Sequence, residues 1–117
     1  SNTVSNMMFS LFQFEVGTRI GADPDWIVAL QAVGGAAGNV ICVHNVVAAA
    51  AVVGMTGQEG AVIRKTLLPF AYYALMTGAL GYAILAYPTT GLLNVGTGMV
   101  ATIIVTIVWI VARNRRH

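Results

Sequence analysis

Amide and hydroxyl side chains supply most of the chemistry available to this 117-residue chain. Asn2, Thr3, Ser5 and Asn6 crowd its start, and Gln31 and Asn39 flank the run Gly34-Gly35-Ala36-Ala37-Gly38. Such groups donate and accept hydrogen bonds but do not attack bonds. Two residues add proton chemistry. His44, beside Asn45, is of the type that titrates near neutral pH, and Glu15 is the competing acid. The Ser, His and Asp residues have no nucleophile–base spacing, so the chain does not read as an enzyme. Cys42 is the one cysteine, and no Cys/His spacing suits zinc. Neither a metal nor a cofactor is expected.

The elements that must position these residues are apolar. Hydrophobic residues make up 57% of the chain, charged residues 9%, and mean hydropathy is +0.78. A soluble domain carries roughly a quarter charged residues. From Thr66 to Ala112 there is no Asp, Glu, Lys, Arg or His. Runs of about 18 apolar residues already suggest a membrane span, and two spans fit there. The basic residues sit at the ends of apolar stretches: Arg64 and Lys65 before this one, Arg113, Arg115 and Arg116 after it. A nucleic-acid surface needs basic residues on a wettable face, so nucleic acid is excluded as a partner. Both clusters fall on one side of two spans, and the positive-inside rule puts that side, with the C-terminus, in the cytoplasm.

Residues 1–21 read as a helix with Asn6, Ser10, Gln13 and Gly17 on one stripe and Met7, Met8, Leu11 and Phe14 elsewhere. Ser, Thr and Asn at its start suit the unpaired backbone N–H groups there. Gly21-Ala22-Asp23-Pro24-Asp25 is a turn, since glycine ends helices and proline cannot continue one. Residues 26–55 are apolar again, interrupted by the glycine run and by His44-Asn45. Each glycine costs roughly 1 kcal/mol against alanine in a helix, so the spacing predicts two half-helices broken at Gly34–Asn39. A break at membrane depth is tolerated only in protein or beside a cavity, which makes it a candidate site. Gly54 to Gly60 is a polar loop. Thr66–Tyr87 is the next span, with Pro69 in its first turn, and Pro88-Thr89-Thr90-Gly91 is a turn. Leu92–Ala112 is the last span, with Trp109 near the interface.

The fold class read from these patterns is all-α: a polytopic integral membrane protein with a Gly-interrupted, broken or re-entrant helix pair followed by two transmembrane helices. Residues 1–65 would hold the polar-faced helix and the interrupted segment. Residues 66–117 would hold the two spans and the basic tail. The chain opens Ser1-Asn2-Thr3 with neither an initiator Met nor a basic leader, which reads as a portion of a longer polypeptide.

Three blocks in order carry a resemblance: Ser1-Asn2-Thr3 with Ser5-Asn6; Gln31-Ala32-Val33-Gly34-Gly35-Ala36-Ala37-Gly38-Asn39; and Gly54-Met55-Thr56-Gly57-Gln58-Glu59-Gly60. They resemble the C-terminal region of the L-lactate permease family over about the first three-quarters of the chain. The last span and the Arg-Asn-Arg-Arg-His tail lie outside the resemblance. It implies a multi-pass permease of the bacterial inner membrane that imports L-lactate, glycolate and related 2-hydroxy monocarboxylates with protons. Its partners would be substrate, protons, the lipid bilayer and the remaining spans of the same permease.

A lactate anion at mid-membrane needs charge compensation and directional hydrogen bonds. Helix N-termini supply both without a buried cation. The expected substrate contacts are therefore Asn2, Thr3, Ser5 and Asn6, the backbone at Gly34, Gly35 and Gly38, and the amides Gln31 and Asn39. Capping and helix packing are the plainer roles for the same residues. His44 and Glu15 are the expected proton carriers; the plainer readings are a histidine bonded to backbone and a carboxylate paired with Arg19 near the interface. Two other functions fit the residues: transport of another small organic anion, and a non-transporting membrane scaffold packed through its glycine faces.

Overall fold

The computed structural model describes residues 1–115. Five helices follow one another: α1 (Asn2–Arg19), α2 (Pro24–Asn39), α3 (Val43–Val52), α4 (Glu59–Thr90) and α5 (Val95–Asn114). Two compact units divide the chain, one over Ser1–Leu75 and one from Met76 onward. The fold is all-helical, as the apolar periodicity requires.

In the first unit, Ser1 caps α1, its Oγ accepting from Val4 N at 3.5 Å. Gly21 then ends the helix in a left-handed conformation, φ 71°. Its own N–H bonds Thr18 O and that of Ala22 reaches back to Gly17 O. Glycine adopts this turn without the steric cost other residues meet. Asp23 opens α2 by accepting from Asp25 N at 3.0 Å, and Pro24 occupies the first helical position, where a missing N–H costs nothing. The tight turn makes α1 and α2 an antiparallel hairpin. Gly17 is buried there: a Cβ on it would lie 2.8 Å from Pro24 Cα and 3.1 Å from Ile27 Cγ1.

The bent helix pair is present, but its break is displaced. Gly34, Gly35 and Gly38 stay inside α2, and the chain bends by 47° between Asn39 and Val43. The glycine penalty is offset by packing, for Ala37 on this turn is only 2% exposed. Past Asn39 the ladder tightens into i to i−3 bonds, with Val40, Ile41 and Cys42 donating to Ala37, Gly38 and Asn39. Cys42 is extended and begins α3. Asn45 Nδ2 covers the Asn39 carbonyl at 3.5 Å.

Pro69 lies deeper in its helix than the sequence reading placed it. α4 begins at Glu59, whose carboxylate accepts from Gly57 N at 2.9 Å, so Pro69 falls in the interior. The segment Glu59–Lys65 consists mainly of good helix formers and extends the span backwards. At 32 residues α4 is about 48 Å long, beyond the roughly 30 Å of a hydrocarbon core. α4 thus has more residues than one crossing of such a core needs, and its charged residues lie in its first turns.

In the second unit, α4 continues through Pro88 to Thr90, and Thr89 and Thr90 both donate to Ala86 O. The turn is Gly91 to Asn94, so the last helix starts at Val95 rather than Leu92. Asn94 donates to Ala83 O at 3.1 Å and Gly91 O at 3.0 Å while its Oδ1 accepts from Thr97 N. Gly96 is buried on α4: a Cβ there would stand 2.5 Å from Ala83 N. Arg113 lies over the Trp109 ring at 5.4 Å, a cation–π contact at the end of α5. Arg116, part of the expected basic cluster, and His117 lie outside the described residues.

Almost no apolar side chain is hidden. Ala37, Val46, Ala50 and Ala79 are the buried hydrophobic residues among those described, whereas Met7 is 81% exposed and Leu93 93%. Water would not tolerate so much apolar surface. α4 and α5 are each long and apolar enough to cross a membrane, and the bent pair α2–α3 adds a third span if it counts as one. The chain is that of a multi-pass membrane protein.

Candidate functional site

The α1–α2 hairpin packs its polar side inward. Asn2, Ser5, Asn6, Ser10 and Gln13 are half-buried and Gly17 is buried, whereas Met7, Met8, Leu11 and Phe14 point outward. A helix in water would turn the other way. This orientation suits lipid outside and a polar seam inside.

Across that seam, Gln31 Nε2 donates to Asn6 Oδ1 at 2.9 Å and to Ser5 O at 3.2 Å. One turn along each helix, the Asn2 Oδ1 rests over Gly35, in the space a Cβ would fill, with Ser5 Oγ beside it. The hairpin turn fixes this register, because Gly17 against Pro24 at one end leaves Asn2 opposite Gly35 at the other. Two buried oxygens in the seam, Asn2 Oδ1 and Gln31 Oε1, have no hydrogen-bond partner among the described residues.

Five of the expected contact residues thus meet: Asn2, Ser5, Asn6, Gln31 and Gly35. The others do not. Thr3 is exposed. Gly34 and Gly38 are exposed one turn apart on α2 with open space before them. Asn39 stands one turn past the level at which α1 begins, and its carbonyl serves the α2–α3 bend. His44, in the first turn of α3, is exposed, with Nδ1 3.1 Å from Cys42 Sγ. Glu15 and Arg19 are exposed on α1, and Glu15 lies nine residues from Asn6, about 14 Å along the axis. Cys42 against His44 is the contact that residue types alone left unmarked; their i, i+2 spacing at a helix start was the available signal.

Comparison with known proteins bears on the same residues. The family described as L-lactate permease matches residues 1–89, which takes in the seam, the bend and most of α4 and leaves α5 outside. A protein named "Putative L-lactate permease" from Haemophilus influenzae is 42% identical over 81 residues, 69% of this chain and 15% of that protein. An L-lactate permease from Escherichia coli is 30% identical over 80 residues, 68% of this chain and 14% of that protein. The chain therefore spans about one-seventh of the length of these relatives. No solved structure matches it.

Proposed function

The chain belongs to the L-lactate permease family, a family of transporters, and from that premise we propose that it is one portion of a proton-coupled importer of L-lactate, glycolate and related 2-hydroxy monocarboxylates. Its place would be the bacterial inner membrane, with the C-terminus in the cytoplasm. The remaining spans of the same permease would complete the cavity and cover the exposed apolar faces.

One observation carries the reading: two helices in an apolar chain turn their amides and hydroxyls toward each other and their Met, Leu and Phe side chains outward. Polar groups at membrane depth are costly and mark pathways for polar solutes. Asn2, Ser5, Asn6, Gln31 and the backbone at Gly35 are the substrate contacts in this proposal. The carboxylate would be met by free N–H groups of the first turn of α1, where the positive end of the helix dipole substitutes for a buried cation. Gly34 and Gly38, with nothing before them in this chain, would receive a neighbouring span closely packed. Asn39 would hold the bend rather than touch substrate.

Proton coupling is assigned to His44, which sits at the bend. Exposed Glu15, about two and a half turns from the paired amides, is the alternative carrier. The experiment is uptake of radiolabelled L-lactate into vesicles containing the whole permease, with and without an imposed pH gradient, for wild type and His44→Ala. Gradient-driven uptake that loses its pH dependence in the variant while exchange persists supports both parts. No lactate uptake by wild type refutes the substrate; a variant with wild-type behaviour removes His44 and moves the role to Glu15.

A further inference from the structure

We infer that the last two turns of α5 form a binding site for an anionic phospholipid, with the Arg113 guanidinium on the lipid phosphate and Trp109 and Ile110 against its glycerol and upper acyl chain. The inference rests on the membrane character of α5 and not on the solute transported.

The length of α5 sets the depth of this site. Its 20 residues, Val95–Asn114, rise about 30 Å, which matches the hydrocarbon thickness of a bilayer. A span of that length brings its last turn to the headgroup layer, where tryptophan and arginine are at home. Trp109, Ile110, Arg113 and Asn114 line an open groove of about 340 Å³ there, and all four belong to α5. Trp109 with Arg113 and Ile110 with Asn114 are pairs at i, i+4 spacing, so they share one face.

The order of these side chains along the axis is the order of groups in a phospholipid. The apolar pair comes first and the polar pair lies about 6 Å further toward the headgroup layer. An acyl chain beside Ile110 therefore carries its phosphate to the level of Arg113 and Asn114.

Charge supplies the selectivity. Arg113 lies over the Trp109 ring at 5.4 Å, a contact that restricts the side chain while using none of its five N–H donors. A guanidinium fork suits a phosphate, and the Asn114 amide adds a neutral donor. No Asp or Glu occurs in the second unit to neutralise Arg113, since Glu59 is the last acidic residue of the sequence. The C-terminal end of a helix dipole is negative and opposes an anion, so the side chains and not the backbone must hold it. α5 also lies outside the residues that match the permease family, which makes this contact additional to the shared segment.

The test is tryptophan quenching in the whole permease with Trp109 as its single tryptophan, reconstituted in phosphatidylcholine vesicles. Small fractions of phosphatidylglycerol or phosphatidylcholine, brominated near the glycerol end of one acyl chain, are compared as quenchers. Phosphatidylglycerol should associate with the Trp109 site about fivefold more strongly, the effect of one basic residue near a membrane surface. Arg113→Gln should bring the ratio to about one, and Arg115→Gln should leave most of it, because Arg115 does not line the groove. Equal quenching by the two lipids in wild type overturns the inference whether or not the variants fold. Equal losses in the two variants overturn it in favour of a diffuse surface charge. Quenching by neither lipid means that another span covers the groove, and loss of the preference on adding inorganic phosphate at constant ionic strength assigns the groove to a soluble anion; either result also overturns it.

Discussion

Replacing Gly17 with alanine tests the packing that sets the register of the polar seam. The new Cβ would stand 2.8 Å from Pro24 Cα and 3.1 Å from Ile27 Cγ1, and the first of these is backbone. Carbon atoms pack at roughly 3.5–4.0 Å, so α1 and α2 must separate by about 1 Å at this level. Overpacking of this kind costs roughly 1–3 kcal/mol. Alanine returns up to about 1 kcal/mol through its better helix propensity. If the displacement runs along the hairpin, the 2.9 Å bond from Gln31 to Asn6 stretches beyond hydrogen-bonding range, which adds about 1 kcal/mol. The net loss is therefore about 1–3 kcal/mol, or roughly 5- to 150-fold in the folding equilibrium. The assay is unfolding of the purified permease by SDS titration in mixed micelles, with Gly60→Ala as the companion, because a Cβ at Gly60, in the first turn of α4, meets nothing within 4 Å. A Gly17→Ala protein as stable as wild type, or more so, would refute the packing argument and with it the register of the seam.

Gly35→Ala should behave differently, since its Cβ meets the end of a flexible Asn2 side chain rather than backbone. Unfolding should move by less than about 1 kcal/mol while half-saturation for lactate uptake rises several-fold, read from uptake kinetics. Asn94→Ala removes the cap of α5 and its bonds to Ala83 O and Gly91 O; a loss of about 1–2 kcal/mol is expected in the same SDS titration. For topology, Arg115→Cys in a whole permease otherwise cleared of cysteine, Cys42 included, should resist impermeant maleimide in intact cells and react in inverted vesicles. Labelling in intact cells would reverse the assigned orientation.

Residue types alone determined the membrane character, because a run without charge from Thr66 to Ala112 has no stable place in water. They also determined that the chain turns after Gly21 and loops from Gly54, where glycine and short polar side chains act through local conformational limits, although Pro24-Asp25 already belong to α2 and Glu59-Gly60 to α4. Helix boundaries were less legible. Pro69 marks a helix start in sequence, yet Glu59–Lys65 carries α4 backwards past it, since a proline's missing bond is a bounded cost within a long helix. Likewise, three glycines lower helix propensity, but the packed face around Ala37 keeps α2 continuous to Asn39.

The site itself was a matter for tertiary structure. Sequence named Asn2, Ser5, Asn6, Gln31 and Gly35 alongside Thr3, Gly34, Gly38 and Asn39 without ranking them. Only the hairpin register separates the two groups, placing Gln31 against Asn6 and Gly35 against Asn2 while leaving the others outside. The physical reason is distance along the chain: a hydrogen bond between residues 25 positions apart depends on how two helices dock, and no local preference encodes that. A polar stripe is visible at helical spacing, but whether it faces lipid, water or a second helix is decided when the helices pack.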